Sequence, residues 1–171
     1  QVVEMVHEGL TPSKIMTREA FENAVMVDVA LGGSTNTVLH LPAIAAEAGV
    51  ELEIEMFDEL SRRVPQITTI LPNGPHTMED LDRAGGIPAV MRELSPLLHL
   101  DALTVTGYNV ARNIASARVL DREVIRSIRN PVTKEGGIAI LKGTLAPRGA
   151  VVKVAAVSPE MRYHCLLYTS P

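Results

Sequence analysis

The sequence predicts an α/β chain in two parts. Residues 1–107 read as helix-rich α/β structure. Residues 108–160 read as a linker and the beginning of a β-rich, barrel-like domain. Three observations carry this. Up to Pro96, apolar residues recur at the three-to-four-residue spacing of helices that bury one face. After Gly107, short β-branched runs separated by Gly and Pro replace that spacing. The chain is 46% apolar with no Trp, two Phe and three Tyr, so the core both parts need is built from Val, Leu, Ile, Met and Ala.

The elements follow in order. Thr11-Pro12-Ser13 makes a turn, and Thr17 caps a helix over residues 17–31. Glu19 and Glu22 sit in its early turns, where the helix dipole favours them. Phe21, Ala24 and Val25 fall at helical spacing, with Leu31 later on the same side. Gly32-Gly33 stops this helix. Ser34, Thr35 or Asn36 caps a second one over about residues 37–48, ended by Gly49. A third begins near Glu55 and ends before Pro65, with Phe57, Leu60 and Val64 on its apolar face. Residues 66–71 are β-prone and run into the turn Pro72-Asn73-Gly74-Pro75. Thr77 opens a short helix with Asp80 three residues on, a relative of the capping box, and Gly85-Gly86 follow. Pro88 starts another helix, to about Leu94. Residues 103–107 read as a strand and turn, and 110–117 as helix. Residues 124–126, 138–141 and 150–157 read as strands parted by Asn130-Pro131, Gly136-Gly137 and Pro147-Arg148-Gly149.

Charge and cysteine content exclude several functions. The net charge is −4 with basic residues scattered, which disfavours a nucleic-acid surface and a polybasic membrane patch. No apolar run approaches the roughly 20 residues of a membrane span. Gln1-Val2-Val3-Glu4-Met5 lacks the pattern of a signal peptide, and with no initiator Met the chain is expected to begin inside a longer protein. Cys165 is the one cysteine, so neither a disulfide framework nor an iron–sulfur site is expected within the chain. A reducing, cytoplasmic setting is the expectation.

One segment stands out chemically. Gly32-Gly33-Ser34-Thr35-Asn36 is a helix stop followed at once by a helix start. Free N–H groups at such a start suit an anion, and the Ser, Thr and Asn side chains add donors. Gly33, Ser34, Thr35 and Asn36 are therefore the candidate substrate-binding residues. The plainer reading is that the glycines cap one helix and Ser34 or Thr35 caps the next. Both stay open. His40, four residues after Asn36, shares that helix face and reads as a packed or surface residue. Glu79, Asp80 and Asp82 read as dipole-favourable charges rather than metal ligands. Gly85-Gly86 and Gly136-Gly137 read as turn glycines. Met16, Met26, Met56, Met78 and Met91 read as core gap-fillers.

The same segment, continued by Val38-Leu39-His40-Leu41, resembles the dihydroxy-acid and phosphogluconate dehydratase family. So do Phe57-Asp58, Arg63-Val64-Pro65, Met78-Glu79-Asp80-Leu81, Arg83 to Pro88 and residues 103–107. Asn130-Pro131, Glu135 to Gly143, Leu145-Ala146-Pro147 and Gly149 to Lys153 favour the dihydroxy-acid branch. The resemblance covers about residues 9–158. Thr37 departs from the family's usual alanine, and residues 161–171 match nothing in the family and are expected to be an atypical tail.

The resemblance implies that residues 1–107 are the C-terminal part of the family's N-terminal α/β domain. It implies a hydro-lyase that dehydrates 2,3-dihydroxy carboxylates to 2-keto acids in valine and isoleucine synthesis. A sugar-acid dehydratase and a non-catalytic anion- or partner-binding domain are the alternatives. It implies an iron–sulfur cluster and Mg²⁺ in the longer parent, which is expected to be a homodimer, with none bound by this chain. The family's cluster cysteines, most of its Mg²⁺ ligands and its proposed serine base lie outside these residues. No catalytic residue and no metal ligand is therefore expected here.

Overall fold

The computed structural model describes residues 2–161. Eight helices come first: α1 Val2–His7, α2 Pro12–Ile15, α3 Arg18–Ala30, α4 Thr35–Glu47, α5 Ile54–Arg63, α6 Met78–Arg83, α7 Gly86–Glu93 and α8 Val110–Ile114. A hairpin of β1 Ile138–Gly143 and β2 Ala146–Lys153 follows, then 3-10 turns at Val154–Ala156 and Pro159–Met161.

The helix starts match the chemistry of their caps. Thr17 Oγ1 accepts the Ala20 N–H at 3.4 Å. Thr77 and Asp80 form a full capping box: Asp80 N donates to Thr77 Oγ1 at 3.1 Å and Thr77 N donates to Asp80 Oδ2 at 2.8 Å. Asp80 is thus occupied as a cap, as its reading as a dipole-favourable charge requires. Ser34 caps α4, so that helix begins two residues earlier than expected.

The core is one aliphatic cluster. Val25, Met26 and Val29 of α3 meet Phe57 and Leu60 of α5, with Val90, Leu94, Ile125 and Ile138 in the same cluster. The expected face of α5 is buried: Phe57, Leu60 and Val64 are all in the core. On α3, Ala24 is exposed and Asn23 is buried instead. Asn23 Nδ2 donates to His99 O at 2.9 Å and His99 N donates to Asn23 Oδ1 at 2.8 Å. A buried amide whose two ends are both paired by one backbone unit costs little to bury. Met26 and Met56 are buried, whereas Met78 is exposed because it sits at the solvent-facing first turn of α6.

The β expectations need correction. Among the described residues the only sheet is the two-stranded antiparallel β1–β2, with Ile138 opposite Lys153 and Ile140 opposite Val151. A barrel-like domain is not formed by them. Residues 124–126 are not a strand: Ile125 N donates to Asp121 O at 3.0 Å in a turn, and Val124 and Ile125 fill the core. β2 ends at Lys153, and residues 154–156 coil into a 3-10 turn. The 66–71 run is extended without becoming a strand, because its partners are a helix end and turns. Ile67 N donates to Ala30 O at 2.9 Å and Arg126 N donates to Ile67 O at 2.8 Å. Residues 103–107 form a turn closed by the Leu103–Asn109 bridge. Short apolar runs satisfy core burial as well as strand periodicity, which explains these differences.

Candidate functional site

The α3–α4 junction is built from its glycines outward. Gly33 N donates to Asp28 O at 2.8 Å and Gly32 N to Val29 O at 3.2 Å, a paired closure of the helix end. It requires left-handed backbone, and Gly32 and Gly33 supply it with φ of 103° and 71°. The chain then reverses into α4. Ser34 Oγ accepts the Asn36 N–H at 3.3 Å.

Asp28, in the last turn of α3, reaches across this reversal. Its Oδ2 accepts the Ser34 N–H at 3.3 Å and the Thr37 hydroxyl at 2.8 Å. Thr37 is thus a hydrogen-bond donor to this carboxylate. The start of α4 therefore already holds an anion from its own chain. Asp28 is half-buried, and burial pushes its carboxyl above the usual range. The Thr37 and Ser34 bonds and the Lys153 charge pull the other way with smaller effect.

The four candidate residues are placed differently. Gly33 is packed: a Cβ there would lie 2.3 Å from Ile138 Cγ1. Ser34 is half-buried and acts as the cap. Thr35 and Asn36 are exposed, and their side chains make no hydrogen bond among the described residues. His40 is exposed on the same helix. Gly136 and Gly137 precede β1, and neither has the positive φ that only a glycine adopts readily. They permit close approach. A Cβ on Gly137 would fall 2.0 Å from Gly32 O, and one on Gly136 would fall 2.7 Å from both Ser61 Oγ and Val29 Cβ. Gly137 N donates to Val29 O at 3.1 Å and Gly136 N to Ser61 O at 2.7 Å. This seam presses residues 136–138 onto the back of the Gly32 turn. Beside it lies a cleft of about 330 Å³ lined by α5, residues 133–139 and the 3-10 turn at Val154–Ala156.

Sequence reasoning missed Asp28, Lys153 and Gln66. Asp28 sits within a helical stretch as an ordinary polar position, and only the fold shows that it crosses to α4.

A pH dependence follows for Asp28. Its folded-state pKa is raised, so the folded chain binds the proton more tightly than the unfolded chain. The charged carboxylate therefore opposes folding above that value, and the opposition is lifted as pH falls through it. Asp28→Asn keeps an acceptor for Ser34 and removes the charge. The Tm of the variant minus that of the wild type is expected to increase as pH rises from about 4 to 7. A difference that is flat over that range would refute this account.

Residues 1–113 match the profile of the dihydroxy-acid/6-phosphogluconate dehydratase N-terminal region. The chain belongs to this dehydratase family. Residues 123–166 match the profile of the same dehydratase family's C-terminal region. The chain is 61% identical over 163 residues to a dihydroxy-acid dehydratase of Ignicoccus hospitalis, covering 94% of this chain and 30% of that protein. It is 54% identical over 168 residues to that of Methanosarcina barkeri, covering 96% of this chain and 30% of the relative. It is 57% identical over 166 residues to that of Acetivibrio thermocellus, with the same coverage. The chain thus spans about 30% of the length of these dehydratases.

The stretch between the two dehydratase profiles packs back on the α6–α7 junction. Leu120 N donates to Ala84 O at 2.8 Å, and a Cβ on Gly85 would meet Arg118 O at 2.4 Å. The C-terminal profile reaches five residues past Met161, where the atypical tail was expected, and residues 162–171 lie outside the described structure. Among the described residues no helix is long and apolar enough to cross a membrane. The described residues include no cysteine, and no group of three His, Asp or Glu converges on a metal site among them. With no cysteine among them, the described residues offer no thiolate to an iron–sulfur cluster.

Proposed function

We propose that this chain is part of a hydro-lyase that converts 2,3-dihydroxy carboxylates to 2-keto acids in valine and isoleucine synthesis. The observation that carries this is the identity of 54–61% to proteins named dihydroxy-acid dehydratase, sustained along about 95% of the chain. The reaction removes the C2 proton and the C3 hydroxyl as water. The resulting enol then tautomerises to the ketone. Hydroxide leaves poorly until a cation takes its charge, which is the chemistry that the family's iron–sulfur cluster and Mg²⁺ supply in the longer protein. This chain contributes scaffold and substrate contacts. Residues 1–107 end the α/β domain, residues 108–160 lead into the C-terminal domain, and the whole enzyme is a cytoplasmic homodimer.

Within it, the segment Gly33, Ser34, Thr35 and Asn36 borders the active site and helps hold the substrate's carboxylate end. Two features support this: the solvent-facing Thr35 and Asn36 side chains, and the helix start behind them. Because Asp28 already occupies the Ser34 N–H, the side chains rather than that amide make the contact.

The experiment is an assay of the complete protein that contains this chain. A branched dihydroxy carboxylate and 6-phosphogluconate are offered separately, and 2-keto acid formation is followed. The branched substrate is expected to give a kcat/KM greater by about 100-fold or more. Preference for 6-phosphogluconate would overturn the reading.

A further inference from the structure

The cleft beside the Gly32 turn holds polar groups that the fold leaves without partners. Ser61 is 2% exposed and Gln66 is 3% exposed, and both line the cleft. Gln66 Nε2 donates to Thr68 O at 2.8 Å, which leaves the amide oxygen free. Neither that oxygen nor the Ser61 hydroxyl makes a hydrogen bond among the described residues. No fully sealed side-chain N or O lacks a partner among the described residues, so neither atom is sealed off, and both residues line the cleft. Buried polar groups are ordinarily paired, and ones that open on a cavity are completed by what fills it.

The charges narrow what that is. Four charged side chains line the cleft: Asp58, Arg62, Lys134 and Glu135. Arg62 Nε donates to Asp58 Oδ2 at 2.8 Å and Ile140 N donates to Asp58 Oδ1 at 3.1 Å, so Asp58 and its partner are engaged. Lys134 and Glu135 form no ion pair among the described residues, although Glu135 adds to the field on Arg62. Lys134 and Glu135 are exposed, so one charge of each sign without an ion-pair partner among the described residues borders the cleft. A simple anion would pair with Lys134 and be repelled by Glu135; a simple cation would meet the reverse. A ligand carrying both signs satisfies both. Ile138, Ala139, Val154 and Ala155 add apolar wall, the Thr133 hydroxyl is taken by Glu135 O, and about 330 Å³ suits a small molecule.

We propose that this cleft binds a small zwitterionic α-amino acid with a short apolar side chain. Its carboxylate pairs with Lys134 and accepts from the Ser61 hydroxyl. Its ammonium pairs with Glu135 and donates to the Gln66 amide oxygen. Its side chain lies on Ile138 and Ala155. The site is separate from the exposed Thr35 and Asn36 side chains and stands whether or not they touch substrate.

Isothermal titration of the chain with L-valine as probe tests this. Parallel titrations use 3-methylbutanoate, which lacks the ammonium, isobutylamine, which lacks the carboxylate, and a branched dihydroxy carboxylate. Valine is expected to saturate below about 10 mM. Each singly charged analogue, and each of Lys134→Gln, Glu135→Gln and Ser61→Ala, is expected to weaken binding about tenfold or more. The Ser61 hydroxyl has no partner in the free chain, so Ser61→Ala leaves Tm unchanged. No valine binding, equal binding of either analogue, preference for the dihydroxy acid, or indifference to the three substitutions would each overturn the proposal.

Discussion

Gly137→Ala is expected to destabilise the chain by about 3 kcal/mol or more and to lower its melting temperature by about 6–12 °C. The new Cβ would lie 2.0 Å from Gly32 O, 2.3 Å from Gly32 C and 2.6 Å from Gly32 Cα. All three are backbone atoms, so no rotamer change relieves the clash. The backbone at Gly32 cannot retreat easily, because it is held by the helix closure through Val29 and by the left-handed φ of 103°. Residues 136–138 would have to lift away instead. That strains the Gly137-to-Val29 and Gly136-to-Ser61 hydrogen bonds and draws Ile138 from the core. Gly143→Ala is the control, since a Cβ there meets nothing within 4 Å, and its effect is expected to stay within about 0.5 kcal/mol. Thermal melts of the two variants decide the matter. A Gly137→Ala chain that melts with the wild type would show that the seam between the hairpin and the Gly32 turn is not as tight as its geometry requires.

In the complete enzyme, Ser34→Ala and Thr35→Ala are each expected to reduce kcat/KM by a factor of about 10 to 160, corresponding to the loss of one hydrogen bond to a charged group at roughly 1.5–3 kcal/mol. The two variants separate binding from capping. Ser34 Oγ accepts the Asn36 N–H, so Ser34→Ala should also cost about 1 kcal/mol of folding stability. Thr35 is exposed and its hydroxyl has no partner among the described residues, so Thr35→Ala should leave Tm alone. Thr35 is therefore the cleaner probe. If kcat/KM is unchanged in both while Ser34→Ala melts earlier, the segment is a helix junction and nothing more.

The local structure was legible where one residue's chemistry decides a local outcome. Thr17 and Thr77 cap because a hydroxyl can take an orphan N–H from the turn that follows. Gly32 and Gly49 end helices because each adopts positive φ, which other residues resist. The face of α5 was legible because Phe57, Leu60 and Val64 repeat at helical spacing. The strands were less so. Residues 138–141 pair as expected, but residues 66–71 and 124–126 do not, since aliphatic runs look alike whether they enter a sheet or a core.

What the sequence by itself determined is the family, the caps that start α3 and α6, and the position of the Gly32 turn. These rest on residue identity and on contacts within a few positions. Only the tertiary structure decided that Asp28 crosses to Ser34 and Thr37, that Gly137 lies on the Gly32 carbonyl, and that Ser61 and Gln66 open on one cleft with Lys134 and Glu135. The reason is physical. Each of these depends on groups distant along the chain approaching to within a few ångströms, and that approach is set by how α3, α5 and the hairpin pack around a shared aliphatic core rather than by any residue's own preference.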